Sequence, residues 1–193
     1  KKRIITFYGN GTAGACRNYA ISNTTGDWIA YLDGDDMILP DAMAVLANEI
    51  VSNREYDIFS SGMIRIDKFG VANPIEDSLH YYPPFDIYDV DPETIGMPTY
   101  FNQLQIMKKE VWEDYNYDTS SNGEDIDFML IHLLKYKFRK IPQYLYFYRD
   151  VEDSFSKEMY EKGDFTTQRY NSGFYHDYYK KKFCEKFRGN FKW

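Results

Sequence analysis

The sequence predicts an α/β domain with a mainly parallel sheet flanked by helices. Three observations predict it. Short apolar runs alternate with helical patterns from Arg3 to Ile66, an order that favours right-handed crossovers between parallel strands. A glycine-rich turn joins the first run to the first helix. The second run is nearly all apolar, as suits a strand covered on both faces.

Taken in order, Arg3 to Tyr8 reads as a buried strand, Gly9 to Gly14 as the turn, and Ala13 to Ser22 as a helix. Asp27 to Asp33 (DWIAYLD) is the second strand. Pro40 and Asp41 open a helix with Leu39, Met43, Leu46 and Ile50 on one stripe. Asp57 to Ile66 is the third strand, and residues 70–98 read as an aperiodic loop rich in Pro, Asp and Tyr. A short strand returns at Gln103 to Met107. Glu124 to Lys137 is a helix with Ile126, Met129, Leu130, Leu133 and Leu134 on one face. Lys140 to Tyr148 is a further strand, placed at a sheet edge because Pro142 cannot donate to a ladder.

At 193 residues with 44% hydrophobic content, the chain has the material for one packed domain and a terminal appendage. Its apolar runs are short and broken by charges, so no membrane-spanning helix is expected, and no basic-then-apolar leader opens it. Cys16 and Cys184 lack metal-site or redox spacing and read as free thiols of a reducing cytoplasm. A net charge of −7 argues against a nucleic-acid-binding surface. The aromatic content of 19% suits either stacking surfaces for sugars and bases or plain core filling.

Asp33-Gly34-Asp35-Asp36 follows directly on an apolar strand, where ligands of open α/β sheets sit. Three carboxylates within four residues repel one another unless a cation or solvent neutralises them, and hard Mg²⁺ or Mn²⁺ takes such oxygen ligands. Gly34 would allow the tight turn that lets alternate side chains converge. A solvated acidic loop capping the helix at Pro40 is the plainer reading of the same residues. An EF-hand does not fit, since Ile38 and Ala44 stand where Gly and Glu are needed. Gly9-Asn10-Gly11-Thr12-Ala13-Gly14 also satisfies the dinucleotide fingerprint, with Asp33 about 20 residues later. Asp35 and Asp36 crowd that ribose-binding acid, and three negative charges beside an anionic cofactor are unfavourable without a metal. An oxidoreductase is therefore the weaker alternative.

Gly123-Glu124-Asp125 opens the long helix. Acids there are stabilised by the helix dipole, which would explain them as capping. They also place a carboxylate on a rigid element, able to face a cleft.

The stretch GTAGACRNYAISNTTGDWIAYLDGDD resembles the family-two inverting glycosyltransferases of the GT-A fold, with their Ala-Arg-Asn helix and Asp-x-Asp-Asp turn. SNGEDIDFMLIHLLKYKFRKIPQYLYFYR looks like the same family's Glu-Asp helix, return strand and closing Tyr-Arg, so the resemblance spans about residues 3–156. It implies an inverting, hexosyltransferase-type enzyme of polysaccharide biosynthesis. Such an enzyme moves a sugar from a nucleotide-diphosphate donor, UDP-linked, to a saccharide or lipid-linked acceptor. By the resemblance Asp33 and Asp35 hold the metal, Mn²⁺ or Mg²⁺, and contact the sugar nucleotide; Asp36 extends the metal set. Arg17 and Asn18 lie near the nucleotide. Asp125 is the general base and Glu124 its neighbour at the acceptor.

The family's usual first strands, which cradle the base, have no counterpart before Lys1, and this implies an N-terminally truncated fold. A non-catalytic carbohydrate-binding or scaffolding relic is the alternative on that ground. Where the family often has a metal-binding His after the Tyr-Arg, Asp150, Val151, Glu152 and Asp153 stand instead. The division expected is a glycosyltransferase domain over 1–156 and an aromatic, basic helical tail over 157–193. In the tail Tyr179, Phe183, Phe187 and Phe191 form a stripe among lysines. It packs on the domain or on a partner helix, or it lies on an anionic membrane, which would put a cytoplasmic enzyme at the inner face.

Overall fold

The structure is a computed structural model, and it describes residues 11–72, 81–82, 104–117, 119 and 124–151. The strand expected over Arg3 to Tyr8, most of the 70–98 loop and the whole 157–193 tail, Cys184 included, lie outside the described residues.

Helix α1 spans Ala13–Ser22, the bounds read from the sequence. Thr12 caps it, its hydroxyl accepting from the Ala15 amide at 3.3 Å, and Asn23 closes it. Strand β1 covers only Trp28–Ala30, and β2, Met37–Ile38, follows the acidic turn. Helix α2 (Ala42–Ser52) buries Ala42 and Leu46, with Leu39, Val45 and Ile50 partly buried beside them. Met43, placed on that stripe by the sequence, faces solvent instead. Strand β3 (Ile58–Ile66) is buried over most of its length.

Three elements are new to the sequence reading, the first being β2 itself. Tyr81–Tyr82 forms β4, paired with the end of β3 inside the expected loop. After β5 (Ile106–Lys108) comes α3, Lys109–Asp114, a helix too short to show a period. Helix α4 runs from Glu124 to Lys135 and β6 from Phe138 to Arg149. On α4 Phe128, Met129 and His132 are buried; the side chains of Ile126, Leu130, Leu133 and Leu134 lie outside the description.

The sheet order is β1-β5-β3-β6-β2, with β4 beside β3. It corrects the expectation of mainly parallel pairing. Among the described residues only β3–β6 is parallel, and the other four pairings are antiparallel. β1 and β3 do point the same way, as a strand–helix–strand unit requires, but β5 inserts between them. β6 is not an edge strand along its whole length, since β2 pairs beside it at Tyr146 and Phe147. Pro142 is tolerated because it falls where the β3–β6 register breaks: Ser60 pairs with Lys140, but Gly62 pairs with Tyr144.

Both sheet faces are covered. Phe59, Ile106, Ile141 and Leu145 pack with Ala42 and Leu46 of α2. Ile58 and Met107, the alternate residues, point the other way and are buried too. α1 and α4 pack on each other, and this contact brings the two acidic motifs together.

Candidate active site

The acidic turn lies just past the end of β1, and the ends of β3 and β6 reach the same rim. The turn closes with the Asp36 amide donating to the Asp33 carbonyl at 3.2 Å. Gly34 is not what makes it possible. Its backbone lies outside the left-handed region, and an added Cβ would meet nothing within 4 Å.

The three carboxylates are treated differently. Asp33 is well exposed and lies 3.7 Å from an Arg17 guanidinium nitrogen. Asp35 is exposed. Asp36 is held from two sides: Oδ2 accepts from the Tyr146 hydroxyl at 2.5 Å and Oδ1 from the Arg149 amide at 2.7 Å. Burial raises the Asp36 pKa, assisted by the charges of Asp35 and Asp33 and opposed by those two hydrogen bonds. The Tyr146 hydroxyl is pushed up by burial and by the same carboxylate.

The Arg149 side chain completes this fastening. Its Nε donates to the Asp35 carbonyl at 2.9 Å, and its Nη1 to the Lys68 carbonyl at 3.0 Å. Lys68 belongs to a tight turn after β3 in which Asp67 Oδ1 accepts from the Phe69 and Val71 amides. Gly70 takes φ +85° there, a conformation that favours glycine.

On the other side of the acidic turn, α1 presents Arg17. Its guanidinium pairs with Glu124, the first residue of α4, and lies 5.5 Å above the Tyr117 ring. Burial alone would lower the Arg17 pKa, but the charges of Glu124, Asp125 and Asp33 outweigh it and the net shift is upward. One guanidinium therefore joins the two acidic motifs. Glu124 is only 7% exposed, and Asp125 beside it is half-buried.

Asn18 faces inward. Its Oδ1 accepts from Trp112 Nε1 at 2.9 Å and from the Tyr117 amide at 3.0 Å, while Nδ2 donates to the Tyr117 carbonyl at 2.8 Å. It thus ties α1 to α3 and to the segment leading into α4. Tyr117 in turn stacks on Phe128 at 4.0 Å. Asp150, one of the acids standing where a His was expected, is paired with Arg65 at 2.6 Å, and its amide donates to the Ile66 carbonyl at 2.8 Å. Glu152 and Asp153 lie outside the described residues.

Among the described residues no three acidic, histidine or cysteine side chains converge as a metal cage. A divalent cation of the Mg²⁺ type needs no such cage; it takes one or two carboxylates and fills its shell with water and phosphate oxygens. Exposed Asp33 and Asp35 fit that donor set, whereas both Asp36 oxygens already accept hydrogen bonds. Sequence reasoning missed Tyr146 and passed over Arg149 as a motif end. Their signal is the alternating tyrosines at 144, 146 and 148, more polar tips than a strand needs for a core.

Residues 1–115 match the family described as Glycosyl transferase family 2. A 69-residue stretch is 36% identical to "Putative glycosyltransferase EpsE" of Bacillus subtilis, covering 36% of this chain and 25% of that protein. Over 156 residues the chain is 27% identical to "Uncharacterized glycosyltransferase MJ1057" of Methanocaldococcus jannaschii, covering 75% of this chain and 54% of that one. The chain thus spans from a quarter to about half of these curated relatives. Among solved structures it is similar to S. aureus TarS 1–349, with a TM-score of 0.56 and 17% identity over 70% of this chain and 40% of TarS. It is also similar to the same protein in complex with UDP, with a TM-score of 0.54 and 18% identity over 78% and 43%. These likenesses bear out an α/β fold of GT-A type.

Proposed function

The chain belongs to glycosyl transferase family 2, and from that premise we propose that it moves a sugar from a nucleotide-diphosphate donor to a saccharide or lipid-linked acceptor, with inversion and metal assistance. The observation that carries this reading is the Arg17 bridge. It draws Asp33 of the acidic turn and Glu124 of α4, 91 residues apart in sequence, to one guanidinium. Asp125 is the next residue on the same helix turn. The UDP complex of TarS supports a UDP-linked donor.

In this reading Asp33 and Asp35 would hold Mn²⁺ or Mg²⁺ together with the donor diphosphate. The bound cation would neutralise charge on the leaving diphosphate. Arg17, kept protonated by its acidic neighbours, adds a second positive charge at the same rim. Asp125 accepts the proton of the attacking acceptor hydroxyl as the new bond to the anomeric carbon forms and the bond to the diphosphate breaks. One in-line displacement of this kind inverts the anomeric carbon. Glu124, the neighbour of the base at the acceptor by the resemblance, is buried and paired with Arg17, and in this reading it also holds that guanidinium in place.

The expected result for Asp125→Asn is loss of transfer, followed as UDP release from UDP-sugars, with UDP–Mn²⁺ affinity by calorimetry unchanged. An Asp125→Asn protein that turns over normally overturns the assignment. A wild-type chain that shows no metal-dependent UDP binding overturns the enzyme reading itself.

A further inference from the structure

Within the proposed site, and resting on that reading, we propose that Asp36 is a positioning residue that fixes the acidic turn on β6, with Tyr146 and Arg149 as its partners. The metal and diphosphate then fall to Asp33 and Asp35. The argument is geometric. A carboxylate ligand needs an accessible oxygen lone pair. Asp36 is part-buried and each of its oxygens already accepts one hydrogen bond, Oδ2 from the Tyr146 hydroxyl at 2.5 Å and Oδ1 from the Arg149 amide at 2.7 Å, whereas Asp33 and Asp35 are exposed.

These two bonds tie one end of the turn to the last residues of β6, a strand paired with β3 on both sides of the Pro142 register break. Arg149 then grips the turn again from its side chain, through the Asp35 carbonyl at 2.9 Å. The same guanidinium reaches across to the Lys68 carbonyl at 3.0 Å, so the turn after β3 and the acidic turn share one clasp. A free four-residue acidic loop would be pushed apart by its own charges. Donors placed at Asp36 and at the Asp35 carbonyl offset that repulsion and hold the Asp33 and Asp35 side chains ready on a rigid base.

The experiment is UDP–Mn²⁺ titration calorimetry on the whole chain, below the melting temperature of each variant. Asp36→Ala loses both acceptors and is expected to weaken binding about 10-fold or more, as removal of supporting hydrogen bonds does at metal sites. Asp36→Asn keeps an oxygen for the Arg149 amide and an amide group for the Tyr146 oxygen, and is expected to recover most of that affinity. Asp35→Asn recovers nothing. Asp36→Asn as weak as Asp35→Asn would make Asp36 a ligand and overturn the proposal. Wild-type affinity in Asp36→Ala would overturn it from the other side. If the wild-type chain binds no UDP–Mn²⁺, the enzyme reading fails first, and the clasp is judged by urea unfolding alone. There Asp36→Ala and Tyr146→Phe should be clearly non-additive, and additive losses would refute the clasp.

Discussion

Arg17 of α1 and Glu124 of α4, 107 positions apart, form an ion pair whose acid is almost wholly buried. Such a pair contributes little net stability over an apolar substitute, but losing one member leaves an uncompensated charge. Arg17→Met should therefore lower unfolding stability by about 3 kcal/mol, the low end for a broken buried pair because Arg17 is itself a quarter exposed. Adding Glu124→Gln should restore part of the loss. Urea unfolding of both single variants and the double variant checks the coupling; equal, additive losses would deny it.

Asn18 meets the Tyr117 backbone twice and Trp112 once. Asn18→Ala strands those groups, at a cost of about 1–3 kcal/mol for buried polar atoms left unmatched. The Trp112 emission should shift in the native state, while UDP–Mn²⁺ affinity stays near wild type. A selective loss of nucleotide binding with unchanged stability would place Asn18 at the ligand instead.

His132 is 1% exposed, with Nδ1 at 2.5 Å from the Phe128 carbonyl and Nε2 at 2.7 Å from the Val111 carbonyl. Burial lowers its pKa, opposed by those carbonyls and by Asp114. The folded state then binds fewer protons than the unfolded one. This contribution to stability is complete above the unfolded value of about 6.5 and is lost as pH falls below it. His132→Phe keeps a ring between Phe128 and Tyr136 and should flatten the dependence of the urea midpoint on pH between 7.5 and 5. An unchanged slope would show that other groups carry it.

Lys140 is buried opposite Ser60, its ammonium 3.2 Å from the Ser60 hydroxyl, and burial lowers its pKa to about 7. With an unfolded value near 10.5, the fold binds fewer protons over the range between, so this contribution rises as pH climbs from about 7 to 10.5. Lys140→Met should remove that rise and increase the urea midpoint at pH 7. A lower midpoint in the methionine variant would show that the charged form is held favourably.

Much of the local structure was legible in the sequence. Thr12 and Asn23 bound α1 where the helical pattern starts and stops, and the apolar run Ile58–Ile66 became a buried strand. The Asp-Gly-Asp-Asp turn and the Glu-Asp pair were both visible, because each depends on residue types at short spacing. α3 was not visible, since six residues carry too little period. Nor was the break in the β3–β6 register at Pro142.

What only the tertiary structure decided is which long-range partner each group meets. Periodicity reports that a face is buried, not what buries it, so β5 could enter antiparallel between β1 and β3 without any local sign. The same limit governed the site. Asp33, Asp35 and Asp36 are equivalent as carboxylates in a sequence, and they part company only when Arg17 reaches the first and Tyr146 and Arg149 take the third. The sequence determined that an acidic turn follows β1. The packing of α1 on α4 and of β6 beside β2 determined which of its carboxylates stay exposed and which holds the turn in place.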